Sequence, residues 1–131
     1  MSEFPAGFED LWSRPLIGHL ATVRPDGAPA VTPMWFLWDG EWLCFTHTTS
    51  RAKLRNIEHQ PWIAFSVNDP DKPHRYIQAR CVVAHIDADP DGAFYESLQR
   101  RYSWPTATTQ QDSSDRVVIR ARPMAYSSQN R

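Results

Sequence analysis

Residues 16–47 read LIGHLATVRPDGAPAVTPMWFLWDGEWLCFTH, three β-rich runs divided by two turn signals. The first run, Leu16 to Val23, ends at Arg24 and Pro25-Asp26-Gly27. Proline presets φ for a turn, aspartate bonds its own backbone, and glycine accepts positive φ. The second run, Ala30 to Trp38, ends at Asp39-Gly40, a two-residue hairpin signal. The third runs from Glu41 to His47. Pro33 lies inside the second run; it cannot donate to a ladder, so it marks an edge strand or a bulge. Three strands joined by tight turns make an antiparallel meander.

Outward from this meander, the chain alternates short helices and further strands. Upstream, Phe4, Phe8, Leu11 and Trp12 recur at helical spacing, predicting a helix over 3–13 that Pro15 limits. Downstream, Ser50 to His59 reads as a helix with Leu54 and Ile57 inward, stopped by Pro61. Trp62 to Val67 is a fourth strand, residues 68–73 a loop with two prolines, and Arg75 to Ile86 a fifth strand. Asp89 and Pro90 fit the N-cap and first position of a helix reaching Arg101. Residues 105–114 read as a polar loop, and Arg116 to Ala121 as the last strand. This pattern predicts a mostly β, α+β domain: a small antiparallel barrel or sandwich of six strands with helices outside. Regular βαβα alternation is absent, which argues against a doubly wound parallel sheet.

The 131 residues fit one domain, 1–131. Fourteen Lys and Arg balance fifteen Asp and Glu, which argues against a nucleic-acid binder relying on overall charge. No apolar window reaches the roughly 18 residues of a membrane span, and the N-terminus lacks the basic and apolar regions of a signal peptide. A soluble cytoplasmic protein is the expectation. Cys44 and Cys81 each sit in an apolar run without a CxxC pattern, so buried small side chains are expected rather than zinc ligands. The five histidines have no metal-ligand spacing, and no G-x-G-x-x-G, P-loop or G-x-S-x-G is present. No catalytic acid, base or nucleophile stands out, and no metal site is expected.

One segment does suggest chemistry. Thr46-His47-Thr48-Thr49-Ser50-Arg51-Ala52-Lys53 joins a strand to a helix. Ser50 can cap that helix, whose first turn offers unpaired N–H donors and a partial positive charge. Arg51 and Lys53 add full charges there, making a corner suited to phosphate. Charge-assisted hydrogen bonds contribute about 1.5–3 kcal/mol each. The apolar Pro33-Met34-Trp35-Phe36 could wall a flat ring beside that corner, although a solvated helix face and a tryptophan in the core would explain the same residues.

In their order, Gly18-His19-Leu20-Ala21-Thr22-Val23-Arg24-Pro25-Asp26-Gly27, Val31 to Phe36, Ser50 to Asn56, Asp69-Pro70 and Arg75-Tyr76-Ile77 resemble the pyridoxamine 5'-phosphate oxidase-like split barrels. The Arg-x-Lys-x-x-Asn segment is most similar to the branch using the deazaflavin coenzyme F-420. The resemblance implies a six-stranded antiparallel split β-barrel with flanking helices, and a homodimer with cofactor at the subunit interface. It implies an oxidoreductase passing a hydride from reduced F-420 to a small organic acceptor. An FMN-dependent oxidoreductase and a non-catalytic binder of flavin or deazaflavin are the alternatives. By the same resemblance Arg51 and Lys53 bind the cofactor phosphate, and Thr46, His47, Thr48, Thr49 and Ser50 line its groove. Thr32, Pro33, Met34 and Trp35 flank the ring. Arg75 and Tyr76 match a position near the interface. Cys81 departs from the Arg-Gly that relatives usually carry in that strand.

Overall fold

The computed structural model describes residues 3–49, 52–104 and 115–130. Seven strands form one antiparallel sheet: β1 (Gly18–Val23), β2 (Pro29–Met34), β3 (Leu37–Trp38), β4 (Leu43–Thr48), β5 (Trp62–Asp69), β6 (Lys72–Ala88) and β7 (Arg116–Gln129). Their order is β2-β1-β5-β6-β7-β4-β3. Three helices accompany them: α1 (Glu9–Ser13), α2 (Ala52–His59) and α3 (Ala93–Arg101). The α+β class matches the sequence, but the expected six strands become seven.

The extra strand comes from the run read as Ala30 to Trp38. It leaves the ladder at Trp35-Phe36, dividing into β2, paired with β1, and β3, paired with β4. These halves are the two edges of the sheet. A flat sheet of this width would hold its edges roughly 29 Å apart, whereas two linking residues span at most about 11 Å. The hydrogen-bonded ladder is therefore open, yet the sheet curls until its edges nearly meet. Phe36 drives the turn inward: it is fully buried, with its ring centroid 5.0 Å from that of Phe65 on β5. Phe65 also meets Phe45 of β4 at 5.0 Å, across the hollow of the curl. Pro33 sits on an edge strand, where its missing N–H costs no ladder bond.

β6 and β7 carry the bend. Arg80 pairs with Ala125 and Cys81 with Pro123, so Met124 is an extra residue on β7. Val83 pairs with Ala121 and His85 with Arg120, so Ala84 is extra on β6. Such bulges bend a strand and raise its twist. They also explain why β7 extends past the expected end at Ala121: Pro123 is accommodated beside a bulge. The expected loop over 68–73 is instead a tight hairpin in which Asp69 pairs with Lys72.

The helices differ from expectation at their starts. Gly7 has φ +89°, a conformation that breaks any helix running from residue 3, and α1 begins at Glu9. Asp89 and Pro90 lie ahead of α3 rather than at its N-cap and first position: Gly92 is the N-cap, and the Asp89 carboxylate reaches past it to accept the N–H groups of Phe94 and Tyr95, each at 3.3 Å. Leu54 and Ile57 of α2 are buried in the core with Leu20, Phe45 and Ile119. No helix among the described residues is long and apolar enough to cross a membrane.

Candidate functional site

Strand alternation sends Leu20 and Thr22 of β1 inward, and the turn after β1 puts Arg24 at its rim. That turn is fixed locally: Gly27 N–H donates to the Arg24 carbonyl at 2.8 Å, and Ala28 N–H to Asp26 Oδ1 at 3.0 Å. α2 lies against this hairpin. Asn56 Nδ2 donates to Thr22 Oγ1 at 3.1 Å, both residues buried, so one polar bond docks the helix on β1.

Between α2 and the hairpin lies a cleft of about 320 Å³. Arg24, Lys53 and Arg55 contribute three cations to its lining, with Thr22, Thr32 and Asn56 as the polar partners. Among the described residues, no carboxylate lines it. The first turn of α2 also holds no acidic residue. Cations at a helix N-terminus oppose the helix dipole, at about 0.3–1 kcal/mol each. An anion bound in the cleft would offset that cost, so this charge arrangement suits a phosphate-bearing ligand.

Of the expected residues, Thr32, Met34 and Lys53 meet at this cleft, whereas Thr46, His47, Thr48 and Thr49 are not among its described lining residues. Thr32 lines the cleft, and Met34 Sδ lies 3.5 Å from Lys53 Nζ, so the apolar strand and the cationic corner do meet. Pro33, between them, is exposed on the opposite face of β2. Thr46, His47 and Thr48 are held in register by β7, opposite Val118, Val117 and Arg116. His47 Nδ1 accepts the Thr48 N–H at 2.9 Å, and Thr49 N–H donates to the Asp115 carbonyl at 3.0 Å. Ser50 and Arg51, the expected cap and second phosphate ligand, lie outside the described residues.

Trp35 and Arg75 have partners that sequence alone did not indicate. The Trp35 ring stacks on Tyr102 at 5.0 Å and 13°, and on Tyr95 at 6.3 Å and 23°; Trp104 meets its edge at 5.6 Å. α3 thus backs the wall strand. Arg101 and Tyr102 clamp the crossing beside it: Arg101 Nε and Tyr102 hydroxyl both bond the backbone of Phe36. Arg75 belongs to a different cluster. Its guanidinium bonds Asp10, Asp69 at 3.1 Å and the Gly7 carbonyl at 2.7 Å, tying the α1 segment to the β5–β6 hairpin. The hydrogen bond from Arg75 pulls the Asp10 carboxyl down to about 2. Tyr76 is half-buried on β6, opposite Asn68 and Gln129.

Arg24, Arg55, Thr22 and Asn56 were not singled out as site residues. Asn56 closes the quoted motif, and alternation along β1 puts Thr22 on the inward face, so these two were within reach of sequence reasoning. Arg24 and Arg55 are legible only once the hairpin and helix are docked. Both cysteines are free, and burial pushes each thiol up to about 12, with Asp39 adding to the effect at Cys44.

The family model for pyridoxamine 5'-phosphate oxidase matches residues 4–130. Among solved structures, a protein named F-420 reductase is 56% identical, with a TM-score of 0.92 over 95% of this chain and 98% of its own. A conserved hypothetical protein from Mycobacterium tuberculosis is 25% identical, with a TM-score of 0.75 over 98% of this chain and 85% of its own. General stress protein 26 from Bacillus anthracis, 18% identical with a TM-score of 0.70, covers 92% of this chain and 89% of its own, and shares the fold. None of the curated proteins matches the chain. The match over nearly the whole length means that this chain belongs to the pyridoxamine 5'-phosphate oxidase family.

Proposed function

We propose that this chain is an oxidoreductase that binds the deazaflavin coenzyme F-420 and reduces a small organic acceptor. One observation carries the reading: the cleft under α2 gathers Lys53, Arg24 and Arg55 with no carboxylate among its described lining residues. Membership of the family and the 56% identity to a protein named F-420 reductase support the same reading. Lys53 holds the cofactor phosphate, aided by Arg51 and the N–H groups that open α2. Asn56 and Thr22 keep that helix seated. Thr46, His47, Thr48, Thr49 and Ser50 line the groove. Thr32 and Met34 flank the ring from the cleft face of β2, and Pro33 and Trp35 do so through their backbone, with Tyr95 and Tyr102 stiffening the strand from behind.

When bound, reduced F-420 supplies a hydride at C5 of its ring. The protein orients that carbon and excludes water; no side chain is assigned as proton donor, and solvent can fill that role.

The functional unit in this reading is a homodimer with a cofactor at each interface. Val31 on β2 is 68% exposed and Ile17, just before β1, is 46% exposed, apolar surface that a second copy would cover. Arg75 and Tyr76 take their place near that interface.

Spectral titration with F-420 and FMN in parallel, followed by turnover of reduced F-420 with a panel of acceptors, tests the proposal. Saturable F-420 binding with acceptor-dependent oxidation is expected. Preferential FMN binding would reassign the cofactor, and F-420 binding without turnover would make the chain a carrier.

A further inference from the structure

A second concave region shares no lining residue with the Lys53 cleft. Two adjoining cavities of about 430 and 460 Å³ have Phe4, Trp38 and Tyr126 in common. Trp12 lines the second cavity. The four rings contact one another: Phe4 to Trp12 at 5.8 Å, Phe4 to Tyr126 at 5.2 Å, Trp12 to Trp38 at 6.2 Å and Trp12 to Tyr126 at 6.3 Å. They come from three separate parts of the chain, the N-terminal segment, β3 and β7, which the curl of the sheet assembles.

The rim is acidic. Glu3 and Glu41 line one cavity and Glu9 the other. Among the described lining residues the one guanidinium is that of Arg122, 4.8 Å from the centre of the Trp42 ring. Aromatic faces attract cations through their quadrupole, and carboxylates at the rim add Coulombic attraction. Trp12, 2% exposed, forms the floor of the group, and Phe4, Trp38 and Tyr126 are only partly buried against it.

We infer that the cavities beside this aromatic cluster bind a small organic cation with an apolar body. Either cavity is within the usual size range of small-molecule sites, about 300–1,000 Å³. The inference does not rest on the F-420 reading, since neither Lys53 nor α2 contributes to this region.

Benzoylcholine serves as the probe, with 3,3-dimethylbutyl benzoate as its uncharged isostere and benzoate as the anionic control. Binding to the full chain is followed by calorimetry and by the NMR indole N–H signals of Trp12 and Trp38. Benzoylcholine is expected to bind saturably and about tenfold more tightly than the isostere, shifting both indole signals. Benzoate is expected to bind more weakly than either. Replacing Glu3 and Glu41 together by glutamine removes exposed charges without touching the core, and weakens benzoylcholine about threefold. Equal affinity for the cation and benzoate, no saturable binding of benzoylcholine, or binding that leaves both indole signals in place overturns the inference.

Discussion

Gly18 shows how one missing side chain permits the core. A Cβ built there would lie 1.9 Å from Phe65 Cζ, and the Phe65 ring is held between Phe36 and Phe45. Gly18→Ala should therefore destabilise the protein by about 1–3 kcal/mol through overpacking, measured as a lower urea midpoint with an unchanged m-value. Asp10 has a separate, pH-dependent role. Its carboxyl is held at about 2 against an ordinary 3.8, by hydrogen bonding to Arg75 first and Arg14 next. A lowered pKa stabilises the fold above the unfolded-state value, and that contribution is lost as pH falls through the folded value. Asp10→Asn should thus lower the melting temperature at neutral pH, with the gap to wild type closing between about pH 4 and pH 2. The buried thiols make a third expectation. With Cys44 and Cys81 pushed up to about 12, neither should react with a disulfide reagent at pH 8 until the protein unfolds.

At the scale of elements, the crossing between β2 and β3 is the least protected junction, since two residues leave the ladder there. Tyr102 compensates: its hydroxyl accepts the Phe36 N–H at 3.0 Å and lies 2.7 Å from the Leu16 carbonyl. Tyr102→Phe should cost about 1–3 kcal/mol by stranding the Phe36 N–H, and amide exchange at Phe36 should accelerate more than in β5. This junction also marks where sequence reading failed. Pro25-Asp26-Gly27 and Asp39-Gly40 announced their turns by chemistry, so the β1–β2 and β3–β4 hairpins were legible. Met34 to Leu37 is apolar and without a breaker, so nothing local reveals that the chain changes partners there. The end of β7 was missed for the opposite reason. Pro123 and the polar 127–129 look like a stop, but a bulge at Met124 absorbs the proline and pairing with β6 continues.

At the scale of the molecule, the curl of the sheet is what makes the candidate site. It carries α2 and the β1–β2 hairpin to one mouth of the core, where cations distant in sequence share a cleft. Lys53 was visible as part of a cationic helix start and Met34 as part of a nearby apolar wall, with Thr32 added by the family resemblance. Arg24 became relevant only through docking, because nothing in the spacing from 24 to 53 predicts proximity. The homodimer proposal also belongs here. Sedimentation equilibrium should give twice the mass of the chain, and Val31→Asp should shift the protein toward monomer. A monomer at micromolar concentration would remove the interface from the proposal.

The central claim is that the cleft under α2 anchors a cofactor phosphate through Lys53, and equilibrium titration of wild type and Lys53→Ala with F-420 tests it most directly. Losing one charge-assisted contact should weaken binding at least about tenfold, with the melting temperature of the unliganded protein essentially unchanged. Equal affinity in the two proteins would contradict the claim.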